Sequence, residues 1–426
     1  MSAIEKIFAR EIIDSRGTPT VEVEVYVENT CSIASVPSGA STGTFEAHEL
    51  RDNDKKRFFS KGVSKAVNLI NTEINETILG MNVTKQKQID ETLIKLDGTL
   101  NKSRLGANSI LAVSLGCAKA AANFLKIPLF SYIGGISLSL PTPLMNIVNG
   151  GCHANNKLDF QEFMIVPMGF KSFKESLRAG CEIFYSLKSL LNKHNFSISV
   201  GDEGGFAPNF SNNKECLDFI INSIDMAGYK AGKDVFIALD VASSEFFNGK
   251  KYKLLSEGLE CSSLELIQYY KNLIKNYPII SIEDGLDEND WDGWKIMTEE
   301  VGKDCQLVGD DLFVTSVDRL KLGINKKCGN SILIKLNQIG TVSETIETIN
   351  EARRNNFNTI ISHRSGETED TFISDFSVAM NSGQIKTGSL SRSERVAKYN
   401  QLIRIEDKNS EIKFSGKEPF KKFFNV

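Results

Sequence analysis

Residues 20–27, TVEVEVYV, alternate polar and apolar positions, the period-two signature of a strand with one buried face. A short second strand leads into PSGASTGT, Pro37 to Thr44, whose glycines allow a mobile loop. From there to Leu138 the chain reads mostly helical, as in KAVNLINTEINETIL and NSILAVSLGCAKAAANFL. Two prolines in LSLPTPL, Leu138 to Leu144, end that pattern. The domain boundary is expected there, with a smaller α+β domain over 1–137 and a second domain over 138–426. Beyond it, short apolar runs recur, each followed by polar residues and a helix-like stretch. They are PLMNIVNGG, QEFMIVP, ISVGDEGG, VFIALDVA, PIISIEDG, QLVGDDLF, SILIKLNQ and TIISHRSG. Such alternation predicts parallel strands joined by helical crossovers, and eight runs predict an α/β fold built on a closed (β/α)8-type barrel. An open doubly wound sheet is the alternative. It would more often carry a Gly-rich fingerprint after its first strand, and no GxGxxG occurs in the chain.

Composition narrows the class without changing this picture. The 426 residues allow two domains, and 41% hydrophobic with 24% charged residues describe an ordinary globular protein. A net charge of −4 gives no electrostatic footprint for nucleic acid. The eight cysteines are dispersed without a CxxC pair, which fits a reducing compartment. The N-terminal MSAIEKIFAREIIDSRG lacks the apolar core of a signal peptide, and polar residues interrupt the most apolar segment, Ala107 to Phe130. A cytoplasmic protein without a membrane span is therefore expected. The C-terminal KEPFKKFFNV mixes bases with aromatics and is expected to pack back on the barrel.

In a barrel the strand ends converge on one mouth, where catalysis sits. The charged positions at or near the ends of the runs are Glu162, Glu203, Asp240, Glu283, Asp310, Lys335 and His363, with Lys386 further on. Runs this apolar do not lie on an exterior, so their terminal charges are expected to ring one chamber. Carboxylates held close repel one another and need a positive partner. Asp240, Glu283 and Asp310 end three consecutive runs and offer only oxygen. No pair among His48, His153, His194 and His363 has zinc spacing. An all-oxygen site with room for water and substrate suits Mg2+ better than Zn2+. Any one of these acids, taken alone, more often pairs with a lysine or caps a helix.

Lys335 follows Ile332, Leu333 and Ile334, where a lysine needs compensation. As a base it must be neutral, which requires lowering its pKa from about 10.4 to near 7.5, or roughly 4 kcal/mol. A cation at about 4 Å and an effective dielectric near 20 provides approximately that much. A metal ion or Lys386 fits this role. An ion-paired structural lysine is the reading that spacing leaves open beside it.

The motifs GASTG, NGGCHA, QEFMI, GDEGGFAP, LDVASSEF, SIEDGLDENDWDGW, GDDLFVT, KLNQIGT, SHRSGETED and KTGSLSRSERVAKYNQLIRIE, in this order, closely resemble the enolase family, and its bacterial members most. The resemblance implies reversible, Mg2+-dependent dehydration of 2-phospho-D-glycerate to phosphoenolpyruvate. It gives Lys335 the role of general base at C2 and Glu203 that of general acid at the C3 hydroxyl. Asp240, Glu283 and Asp310 correspond to ligands of a first metal, and Ser41 to a loop ligand of a second that arrives with substrate. Arg364 and Ser365 correspond to phosphate contacts and Lys386 to a contact of the substrate carboxylate. Gln161, Glu162, His153 and His363 correspond to positions around the substrate hydroxyl and the closing loops. The handling of a carbon acid by a Lys base with one or two Mg2+ ions is a general pattern of this superfamily. Glu203, crowded by other carboxylates, is expected to keep its proton through a raised pKa. A homodimer, or an octamer of dimers, is the implied assembly.

Departures lie beside these positions. Cys152 stands where bacterial relatives commonly carry Glu, Asn155 and Lys157 change the next loop, and Thr18 replaces the usual Asn of DSRGNPT. Two rival functions follow from the same resemblance. One is another enzyme of the superfamily acting on a different carboxylate. The other is an enolase with an added binding role, as surface-exposed members bind plasminogen and some bacterial members join an RNA-degrading assembly. No anchor or docking motif supports the second, and the catalytic set is intact.

Overall fold

The computed structural model describes residues 2–40 and 43–424. Strands β1 (Lys6–Ile13), β2 (Pro19–Val27) and β3 (Thr30–Ser35) form an antiparallel sheet in that order. Val21, Val23, Val25 and Val27 bury one face of β2, while Glu22, Glu24 and Tyr26 point the other way. Against the valines lies the helix Ala107–Leu125, buried over nearly its whole length. Gly116 allows the close approach: a Cβ there would stand 2.7 Å from Val25 Cγ2. The opposite side of this helix meets the barrel turn Leu336–Ile339, which explains why its sequence is apolar all round. The domains are also tied by polar contacts. Asp90 accepts from Ser343 N at 2.9 Å at the start of the helix Val342–Arg354, and Lys102 Nζ lies 2.9 Å from Glu344 Oε1.

The second domain contains β4 (Thr142–Asn149), β5 (Glu162–Val166), β6 (Phe236–Asp240), β7 (Tyr252–Leu254), β8 (Leu259–Cys261), β9 (Ile279–Glu283), β10 (Gln306–Gly309), β11 (Ser331–Ile334), β12 (Asn358–Ser362) and β13 (Gly383–Lys386). All but the β7–β8 hairpin close into an eight-stranded barrel in the order β10-β11-β12-β13-β4-β5-β6-β9. Seven of the eight expected runs are barrel strands; ISVGDEGG is not. Its Ile198 and Val200 are exposed, and only Val200 makes an isolated bridge, to Phe206. Its glycines instead let the segment fold over β4, where a Cβ on Gly205 would stand 2.6 Å from Asn149 Oδ1. The eighth strand is β13, GQIK, which shows no apolar run. Its Gln384 points into a buried amide layer, exchanging hydrogen bonds of 2.9 Å with Gln306, which also bonds Ser281 and Asn358.

The barrel is not uniformly parallel either: β5 runs antiparallel to both neighbours. No helical crossover separates β4 from β5, so the chain turns straight back. From β5 two successive helices, Phe173–Lys193 and Asn213–Met226, carry it across the barrel and back before β6. The C-terminal Phe420 and Phe423 pack under the barrel against Leu144, Met164, Val166 and Phe236, as expected. Among the described residues, no helix is long and apolar enough to cross a membrane.

Candidate active site

Strand register sets the acids side by side. Glu162 at the start of β5 pairs with Asp240 at the end of β6, and Asp240 with Glu283 at the end of β9. Because β5 is reversed, Glu162 reaches the mouth from its N-terminal end. Lys386, the last residue of β13, stands among all three, with Nζ 2.9 Å from Asp240 Oδ2, 2.9 Å from Glu283 Oε1 and 3.1 Å from Glu162 Oε1. Lys335, just past β11, pairs with Asp310, just past β10. Gln161 Nε2 reaches Asp240 Oδ2 at 3.4 Å. Glu203 arrives from the connection between the two helices after β5, not from a strand end. His153 Nδ1 lies 3.6 Å from both Glu162 Oε1 and Glu203 Oε1, and His363 Nε2 lies 3.5 Å from Glu203 Oε2. All of these but Glu283, which lies behind Lys386, line one cleft of about 500 Å³, its open mouth included.

Burial decides the protonation states. It lowers His363 to about 4 and lowers His153 as well, so both rings are neutral at pH 7. Arg395 Nη1, which can only donate, lies 2.6 Å from His363 Nδ1. That nitrogen therefore accepts, and the ring proton sits on Nε2, facing Glu203. Glu162 is raised well above the usual carboxylate range by burial and by the charge of Glu203. Burial also raises Glu203, but His363, His153 and Arg395 outweigh it and bring Glu203 low. With the rings neutral, the Nε2–H of His363, the Arg395 charge and a 3.0 Å bond from Asn146 Nδ2 hold the Glu203 carboxylate. Of the two, Glu162 is the carboxyl pushed toward holding a proton and Glu203 the one pushed toward its charge, opposite to the direction expected for Glu203. Lys335 also departs from expectation. Burial lowers it, but contact with Asp310 wins, and its pKa is raised. Among the protein's own groups, its partner is the Asp310 carboxylate rather than Lys386.

On the phosphate side of the expected site, Arg364 is buried, with Nη1 2.9 Å from Glu46 Oε2 and 3.0 Å from Asn337 Oδ1. Ser365 Oγ accepts from Ala40 N at 2.7 Å and from Arg16 Nη1 at 3.3 Å. Ser41 lies outside the described residues. Asp240, Glu283 and Asp310 do not converge on one point here, since Lys386 holds the first two and Lys335 the third. A tighter acidic group, Asp284, Asp310 and Asp311, has ligand atoms within 4.8 Å of one another. Asp284 sits at φ +42° and accepts from the backbone N–H of Asp310 and of Asp311, at 2.9 and 2.8 Å. Burial raises Asp284 well above its usual range, and raises Asp311 to about 8. Sequence reasoning missed both because it took one charge per strand end; the doubled acids of IEDG and GDDLF were the available signal.

The enolase N-terminal domain matches residues 4–133, and the enolase C-terminal TIM barrel domain matches residues 137–423. The chain belongs to the enolase family. The mouth fits a divalent cation on its own chemistry. Carboxyls outnumber the cations Lys335, Lys386 and Arg364, and Arg364 is already engaged by Glu46. Gln161 Oε1 and Glu162 Oε2 are buried with no hydrogen-bond partner among the described residues. Oxygen donors in excess of nearby positive charge are what a hard cation such as Mg2+ requires.

Proposed function

We propose that this enolase is a phosphopyruvate hydratase, interconverting 2-phospho-D-glycerate and phosphoenolpyruvate with Mg2+. One juxtaposition supports the reading: Lys335 after β11 and the Glu162/Glu203 pair beside β5 face each other across the barrel, four strands apart. Loss of water from this substrate needs a base at C2 and an acid at C3, on separate groups. Lys335 takes the C2 proton. The carboxyl pair, which holds one proton between Glu162 and Glu203, gives it to the departing C3 hydroxyl. His153, Gln161 and His363 surround that hydroxyl and keep the pair in place. Lys386 lies beside the substrate carboxylate, where charge grows as C2 loses its proton. Arg364 offers a planar fork of donors to the phosphate, with Ser365 next to it. Asp240, Glu283 and Asp310 would hold one Mg2+ and Ser41 would help hold a second, and the charge so supplied would stabilise the substrate carboxylate. The reading includes a cytoplasmic homodimer.

The test is turnover. Purified protein with Mg2+ and 2-phosphoglycerate should form phosphoenolpyruvate, followed by its ultraviolet absorbance. Lys335→Ala should lower the rate by about 10²–10⁴-fold, the contribution of a positioned base. Absence of turnover by the unmodified, Mg2+-loaded protein would sink the proposal.

A further inference from the structure

Two adjacent side chains of the segment Gly43–Glu46 each rest on a barrel arginine. Phe45, 49% exposed, lies over Arg319, whose Cζ is 3.8 Å from the ring centroid. Arg319 is a fixed platform: its Nε donates to Leu312 O at 2.7 Å and its Nη2 to Glu288 O at 3.2 Å, with Trp291 on the same guanidinium at 5.4 Å. The next residue, Glu46, pairs with both terminal nitrogens of Arg364, at 2.9 and 3.2 Å, and accepts from Gly43 N at 3.1 Å. It also accepts from Gln338 Nε2 at 3.3 Å. Gln338, buried, carries the connection inward. Its Nε2 donates to Asp310 Oδ1 at 2.8 Å, and its Oε1 accepts from Thr315 Oγ1 at 2.7 Å, an oxygen that itself accepts from Lys335 N at 2.9 Å. The segment is pinned once more where Ala47 N donates to Gln338 O at 2.8 Å.

We infer that Phe45 and Glu46 are positioning residues: the Phe45–Arg319 stack seats the segment, and the seated Glu46 fixes Arg364 and Gln338 in the orientation that receives the substrate phosphate. Phe45 lines no part of the chamber, so any effect it has on substrate passes through the seat. Without Glu46, Arg364 loses a carboxylate that engages both of its terminal nitrogens and keeps its bond to Asn337 Oδ1 at 3.0 Å. The inference rests on the reading of Arg364 as the phosphate contact.

The test uses Phe45→Ala, Arg319→Ala and the double variant of the full chain. With Mg2+ and 2-phosphoglycerate, KM should rise about two- to fivefold in either single variant, the size of one cation–π contact. The effect should fall on KM more than on kcat, and the double variant should be no worse than the worse single. In metal-free protein without substrate, hydrogen exchange at the Ala47 amide should quicken in both single variants. Glu46→Gln keeps the volume and removes the charge, and should raise KM at least about tenfold, as loss of a buried charge partner does. Unchanged KM and unchanged exchange in Phe45→Ala and Arg319→Ala, beside an active unmodified enzyme, would overturn the inference. So would additive effects in the double variant. A fall in KM for Glu46→Gln would also overturn it, by making Glu46 a competitor of phosphate. If the unmodified protein turns over no 2-phosphoglycerate, the proposed function fails, and the exchange measurement alone still decides whether Phe45 and Arg319 seat the segment.

Discussion

Lys386→Met removes a charge on which three buried carboxylates converge, while keeping most of the side-chain volume. Each 2.9 Å contact, to Asp240 and to Glu283, represents a gross attraction of about 6 kcal/mol at an effective dielectric near 20. Desolvation of the lysine and the acids offsets most of this. Truncating one partner of such a buried pair leaves a net loss of about 3–5 kcal/mol. For a barrel domain of this size, that lowers Tm by about 5–8 °C. The assay is thermal unfolding at pH 7, first in chelator and then in saturating Mg2+. If Asp240 and Glu283 hold the metal, the ion and Lys386 draw on the same oxygens. Mg2+ should then raise the Tm of the variant by more than that of the parent and narrow the gap. The pH dependence has a definite sign. Glu162 and Glu283 already titrate well above the usual range, burial being the largest cause, so their ionisation opposes folding from about pH 4.5 upward. The deficit of the variant should therefore shrink toward pH 4.5, where these acids keep their protons. An equal Mg2+ shift in parent and variant would refute the shared-ligand argument.

Two further outcomes follow from the protonation states. His363 is held down to about 4 by burial, so its contribution to stability is complete above its unfolded pKa near 6.5 and is lost as pH falls from there through 4. In metal-free protein, His363→Asn should flatten the acid limb of denaturant stability by about 3 kcal/mol over that window, and parallel limbs would contradict it. Cys152 is exposed, yet its Sγ lies 3.3 Å from Glu245 Oε2, and burial and this neighbour push the thiol up to about 11. Its alkylation by iodoacetamide at pH 7.5 should run about two orders of magnitude slower than that of a free thiol, and Glu245→Gln should speed it. Labelling at the free-thiol rate in the parent would exclude the effect of Glu245.

The barrel was legible because seven of its strands are apolar runs, the pattern that burial on both faces imposes on sequence, and six of them carry Glu162, Asp240, Glu283, Asp310, Lys335 or His363 at or beside one end. The exceptions have separate causes. Gln384 and Gln306 satisfy each other in the barrel floor, so β13 carries no apolar signature. ISVGDEGG carries that signature but lies outside the barrel. The reversal of β5 leaves no trace in its own residues, and only the missing helix between β4 and β5 hinted at it. Strand-end charges also located most of the chamber, including Lys335, Asp240 and Asp310. Glu46, Gln338 and Arg395 were hidden for another reason. They lie on a loop, a turn and a helix, and only the folded chain brings them against Arg364, Asp310 and His363.

The pKa directions that the chain's own groups impose on Lys335 and Glu203 differ from those expected for a single reason, which concerns charge balance more than either residue. Sequence spacing treated the acids as a ring awaiting a cation and the lysines as separate reactive groups. In the folded chain the lysines lie within that ring. Lys335 is kept protonated by Asp310, and Lys386 by Asp240, Glu162 and Glu283. Each proton on a lysine is therefore linked to the charge of a neighbouring carboxylate. A cation drawing on those carboxylates lowers the affinity of both lysines for their protons, the direction in which Lys335 must move to act as a base. The same reasoning puts the acid on the far side of the chamber. Burial and the charge of Glu203 push Glu162 toward holding a proton, while His363, His153 and Arg395, against burial, push Glu203 toward its charge. On the proposed function the acid that serves C3 is a property of the pair, and replacing either glutamate by glutamine should disturb the same apparent pKa of the pH–rate profile.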